Sequence, residues 1–356
     1  MNFASDHYVP VLKVKRGEKK ALSLISNLLH HRVTPLLEIV ERSESAEKPL
    51  DKHLDTAFKD LELSVRPFQR CFIDAHEVSS EANTAVADVF QRAAKVGVRF
   101  TPVTGISRPA ADVAASLAHP SNGIAIRLTR EEFEGGSVTR DVRRFMSRNG
   151  LAMEGVDLFL DLGAVENLVA DGIAALSDAF LQEIPDQTQW RTLTLSACTF
   201  PKSMGGVDRN SYDLVERAEW IAWRDSLFAN RRSMPRLPSF SDCAIQHPVG
   251  VEGFDPRTMQ VSAAVRYTLP DHWLLIKGES TRNIPPSEQF PELATRLVYG
   301  HLRSHYAGAN HCDGCASIKA AADGAPKLGS AEAWRRFGTI HHITRVVQDL
   351  AALPWP

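Results

Sequence analysis

The chain has 356 residues, 44% of them hydrophobic and 24% charged, with a formal net charge of −2. This is ordinary globular composition with ample core material, and it argues against a dedicated polyanion binder, so nucleic acid would need a local basic patch. No apolar run approaches the roughly 20 residues of a membrane span, and the first residues lack the basic and apolar regions of a signal peptide.

The first strand is read at Val9–Lys15, and Arg16–Glu18 turns the chain into a helix with Ala21, Leu22, Ile25 and Leu29 at helical spacing. Strand two covers Thr34–Val40, followed by a polar loop rich in Glu, Ser and Lys and a helix around Leu54–Leu61. Strand three ends at Asp74. Ala85, Val89 and Ala93 share one face of a helix over Glu81–Val96, which Gly97 is placed to end. Strand four is Arg99–Thr104 with a helix from Ala110 to Leu117, and strand five is Ile124–Leu128 with a helix from Val138 to Ser147. Strand six, Leu158–Gly163, is a short apolar run carrying Asp161, and Val165–Leu181 is helical. Strand seven is Thr192–Cys198. An amphipathic helix follows over Leu214–Leu227, and strand eight is Ser239–Gln246.

Short apolar runs alternating with helices read as buried parallel strands. Eight such units over roughly 250 residues match a closed (β/α)₈ TIM-like barrel. After Pro248 the rhythm changes. Gln260–Tyr267 and His272–Lys277 pattern as an antiparallel hairpin, Glu292–Tyr306 as a helix, and Ala331–Leu353 as a terminal helix. The expected organisation is a barrel over 1–248 and a C-terminal α+β cap over 249–356, packed on the barrel.

Ionisable residues cluster at the C-terminal ends of these strands: Lys13, Lys15, Glu38, Asp74, Arg127, Asp161 and, less regularly placed, Asp242. A closed barrel brings such residues to one face, where it places working groups. Lys15, Glu38, Asp74, Arg127 and Asp161 are the candidate catalytic set, suited to acid–base work or to holding a divalent cation through oxygen. The bland alternative is an ion-pair network that closes the barrel mouth.

A second constellation is His301 and His305, four residues apart, followed by His311, Cys312 and Cys315. His301, His305, Cys312 and Cys315 supply enough ligands for Zn²⁺, although the spacing follows no standard zinc module. A third is Trp334–Thr344, with Arg335, Arg336 and the adjacent His341 and His342, which face different ways on a helix. By itself it reads as a packed terminal helix. The five cysteines are odd in number, and Cys71, Cys198 and Cys243 lie in or beside apolar runs, as buried thiols of a cytoplasmic protein do. Met204–Gly206 lacks the lysine and spacing of a phosphate loop, and neither a nucleotide-binding glycine fingerprint nor a serine-hydrolase elbow is present.

Several stretches together carry a resemblance: Tyr8–Glu18 with Ala21 and Leu22, Pro35–Ile39, Leu160–Gly163, Trp273–Gly278 and Trp334–Thr344. The chain is similar to the Beta protein family, named after a phage T4 protein and widespread in bacteria and their phages. The resemblance implies a phage or phage-defence setting and brings no established catalytic residues. Two readings follow. One is an enzyme acting on a phosphate-containing substrate, a nucleotide or nucleic acid, through the acidic mouth. The other is a sensor or adaptor that binds a partner protein from the same operon or a phage component.

Overall fold

A computed structural model describes residues 3–4, 6–42, 49–119, 122–249 and 261–355. Most of the polar loop expected after the second strand, and Gln260 of the expected hairpin, lie outside the described residues. The strands are β1 (Tyr8–Lys13), β2 (Leu36–Glu38), β3 (Cys71–Asp74), β4 (Phe100–Thr104), β5 (Ile124–Thr129), β6 (Val156–Ala164), β7 (Thr192–Cys198), β8 (Tyr212–Glu216), β9 (Ser239–Asp242), β10 (Ser262–Thr268) and β11 (His272–Ser280). Strands β1 to β7 and β9 close into a parallel barrel in that order, with β1 pairing both β2 and β9. The expected (β/α)₈ architecture is therefore present.

Alternation along each strand divides its side chains between two cores. Tyr8, Leu12, Leu37, Ile73, Ile126, Leu158, Leu160, Leu193 and Phe240 join the outer layer against the helices. Val9, Val11, Leu36, Phe72, Val103, Ala125 and Phe159 fill the interior. Phe72 and Phe159 meet edge to face at 4.8 Å in the middle of the barrel. The N-terminal end of the barrel is closed by Asp157 of β6, which receives Arg70 at 2.6 and 2.9 Å, Arg191 at 2.5 and 3.1 Å and the Thr192 hydroxyl at 2.7 Å. Two guanidiniums on one buried carboxylate hold it ionised against its own desolvation.

Strand β8 corrects the expected helix over 214–227, whose helical part is Ala218–Ile221 continued by Ala222–Phe228. It pairs antiparallel with β11, which pairs antiparallel with β10, giving a three-stranded sheet that takes strands from both sides of the boundary expected at residue 248. One face, with Trp273 and Leu275, packs on Phe200, Val207 and Ile245 beside the barrel interior. The other, with Val265, Tyr267, Leu274 and Ile276, packs on helices Pro286–Val298, Asp313–Ala322 and Ala331–Ala351.

The terminal helix Ala331–Ala351 belongs to both cores. Ala333, Trp334 and Phe337 lie in the cap, and Ile340, Ile343, Val346, Val347 and Leu350 lie in the outer layer of the barrel. Gly338 marks its crossing of β10. A Cβ there would stand 2.7 Å from the Arg266 carbonyl oxygen and 2.8 Å from Ile245 Cδ1, so only glycine permits the approach. No helix among the described residues is long and apolar enough to cross a membrane.

Candidate functional site

Register explains how the mouth charges meet. Lys13 pairs with Glu38 across β1 and β2, and Glu38 with Asp74 across β2 and β3, so the three stand side by side. Each lies two residues beyond an interior apolar position, namely Val11, Leu36 or Phe72, and so faces inward. Arg127 of β5 spans the opening. Its Nη1 donates to Glu38 at 2.8 Å and to Asp74 at 2.9 Å, and its Nε donates to Asp161 at 2.8 Å with Nη2 at 2.5 Å from the same oxygen.

The surrounding pairs complete the network. Arg108 donates to both oxygens of Asp74, at 2.8 and 2.9 Å, and Lys13 donates to Glu77 at 2.8 Å. Asp74 also accepts the His76 backbone N–H, and Asp161 accepts that of Gly163. Burial alone would push the Asp74 carboxyl up, but Arg108 and Arg127 outweigh it and hold the group well below the usual carboxylate range. Glu38 goes the other way: burial raises it, and Arg127 only partly compensates. At the rim, His247 Nε2 lies 3.1 Å from Glu166.

Of the candidate catalytic set, Glu38, Asp74, Arg127 and Asp161 are thus in one connected cluster. Lys15 is not: it is exposed past the end of β1, preceding the helix Arg16–Leu22, and the lysine that reaches the mouth is Lys13. Asp242 also departs from expectation. Ser241 is its inward neighbour, so Asp242 points out of the barrel, where the Tyr8 hydroxyl donates to it at 2.5 Å and His342 Nε2 lies at 3.0 Å. The Thr268 hydroxyl meets His342 Nδ1 at 2.9 Å, and this buried chain fastens the terminal helix to the β1–β9 seam. Sequence reasoning missed Arg108, in the loop after β4, and Glu77, in the short 3-10 helix His76–Glu81 after β3, neither of which carries a periodic signal.

The expected zinc ligands separate. The helix expected over Glu292–Tyr306 stops at Val298, so His301 and His305 do not share a helix face, and His301 lies against Tyr212 at 5.7 Å. Cys312 and Cys315 are joined instead by His311 and His341. Ligand atoms of His311, Cys312 and His341 lie within 4.8 Å of one another, and Cys315 Sγ is 3.2 Å from His341 Nδ1. The Cys312 thiol is pulled down by its hydrogen bond with Cys315, against burial, with His341 adding to the effect. Cys71, Cys198 and Cys243 are free and buried, as expected.

No curated protein matches the sequence. The family model described as Beta protein matches residues 8–348, from the first barrel strand to the last turns of the terminal helix. The chain therefore belongs to the Beta protein family.

Proposed function

We propose that this chain is a non-catalytic sensor or adaptor of a phage-defence or phage-encoded system. It works in the cytoplasm and binds a partner protein encoded beside it or a phage component. The phage setting is carried over from the family. The observation that favours binding over turnover is the commitment of Arg127, which divides its guanidinium among Glu38, Asp74 and Asp161.

A phosphate-bearing substrate needs free cationic donors, and a metal ion needs free carboxylate oxygens. Here Lys13, Arg108 and Arg127 are each already held by a carboxylate. Entry of a phosphate would strand buried carboxylates without partners, at a cost of roughly 3–5 kcal/mol for each broken pair. One observation favours the alternative enzyme. Glu38 is a buried carboxyl with a raised pKa at the mouth, which suits a general acid.

The test uses the full chain in its native genetic setting with Asp161→Asn, Glu38→Gln and Arg127→Met variants. Variants that remain folded are expected to keep their effect on phage growth. The purified protein is expected to bind neither inorganic phosphate nor Mg²⁺ in calorimetric titration. Loss of the phage effect in a folded Asp161→Asn or Glu38→Gln protein would overturn the proposal, as would phosphate binding abolished by Arg127→Met.

A further inference from the structure

The residues around Cys312 form a side-chain cluster distinct from the barrel mouth. Cys312 caps the helix Asp313–Ala322, and its Sγ accepts the Cys315 N–H at 3.3 Å. Cys315 stands just inside the first turn with its Sγ 3.3 Å from the Tyr267 hydroxyl. His341 enters from the terminal helix with its ring stacked on Tyr267 at 3.8 Å. His341 Nε2 is 2.7 Å from the Thr268 carbonyl oxygen, which can only accept. The proton therefore sits on Nε2, and Nδ1 turns a lone pair toward the two sulfurs. This is the arrangement in which an outer carbonyl fixes a metal-binding imidazole.

His311 provides the second observation. Its ring lies 5.0 Å from that of His341, and its Nε2 is buried with no hydrogen-bond partner. As a metal-free polar cluster this arrangement leaves a buried imidazole nitrogen unsatisfied beside two thiols, which costs free energy. An ion accepting both imidazoles and both sulfurs removes that cost.

We propose that His311, Cys312, Cys315 and His341 bind one Zn²⁺ ion. His311, Cys312 and His341 already bring ligand atoms within 4.8 Å of one another, and Cys315 Sγ, 3.2 Å from His341 Nδ1, closes on the ion as the fourth ligand. Two sulfur and two nitrogen ligands match the tetrahedral preference of zinc and leave no open position, so the ion is structural. It ties the loop before the helix Asp313–Ala322 to the terminal helix and, through Thr268 and Tyr267, to β10. Binding requires loss of the thiol protons, which pass to solvent.

The purified full chain is stripped with chelator, equilibrated with Zn²⁺ alone, desalted and measured by elemental mass spectrometry. The set also includes His311→Gln, Cys312→Ser and a His301→Gln/His305→Gln double variant. One equivalent of zinc is expected in the wild type and in the double variant, with stoichiometric binding lost in the other two. Co²⁺ in place of Zn²⁺ is expected to give a thiolate charge-transfer absorption in the wild type that weakens in Cys312→Ser. Folding is followed by circular dichroism, and His311→Gln guards against a misfolded cysteine variant because His311 lies in a half-buried loop. A folded wild type that takes up no zinc overturns the proposal. So does an intact mass showing a Cys312–Cys315 disulfide, or zinc lost in the double variant but retained in His311→Gln.

Discussion

Glu219 makes the stability of the protein depend on pH in a way that one substitution isolates. Its side chain is buried behind β7 and β9, beside Trp223, Phe240 and Ser241, around a void of about 10 Å³ that holds one water at most. The Thr199 hydroxyl donates to Oε2, and Oε1 has no partner. Burial first, and then the nearby Asp242 charge, push the carboxyl up from its ordinary 4.5 to about 8, against the pull of Arg217. A folded pKa above the unfolded one means that the contribution is fully present below pH 4.5 and is lost as pH rises toward 8. Over that window the loss is on the order of 4 kcal/mol.

Glu219→Gln keeps the shape and the acceptor for Thr199 but has no proton to lose. Urea denaturation of both proteins at several values between pH 5 and 9 cancels every titration they share. The variant is expected to gain on the wild type by about 1.4 kcal/mol per pH unit up to about pH 8, then to run parallel. In melting temperature the gap at pH 8 is on the order of 5 °C for a chain of this length. A difference that stays flat with pH, or a variant less stable than wild type at pH 8, refutes the placement of a neutral carboxyl there.

Three further outcomes are expected. Asp157→Ala leaves Arg70 and Arg191 facing each other at the base of the barrel and should cost roughly 3–5 kcal/mol, read as a fall in the urea midpoint. Gly338→Ala forces the terminal helix away from β10 and should cost about 1–3 kcal/mol in the same assay, with Ser at this position no better. Asp74→Asn should flatten the acid limb of the stability curve. The depressed carboxyl contributes stability above the ordinary carboxylate range and loses it as pH falls, so the gap between the two proteins should narrow on acidification.

The barrel was legible because its strands are apolar runs too short for helices, and Thr192–Cys198 and Ala110–Leu117 have the limits expected of them. The mouth carboxylates were legible for the same reason, since strand ends in a closed barrel share one face. What failed had a local cause. Tyr212–Glu216 is mostly exposed and is a strand only because β11 pairs with it, a partner that no local pattern displays. The helix over 292–306 was read through Gly300, whose Cβ would press on the Arg296 backbone, and the chain instead leaves the helix just before that residue. Asp242 fell one residue out of phase, enough to send a strand side chain to the opposite face. His341 joins the cysteines from a distant helix, and sequence spacing carries no trace of that meeting.

The fastening of Tyr8, Asp242 and His342 bears on the order in which the molecule assembles during synthesis. The edge where β1 meets β9 joins the first and last strands of the barrel, and its outer clasp comes from the helix Ala331–Ala351, which follows every barrel strand in the sequence. A nascent chain thus emerges with its first strand paired on one edge only, against β2. The clasp on that edge forms only after the helix Ala331–Ala351 has left the ribosome, so loss of this helix should leave an open, adhesive sheet rather than a slightly shortened protein.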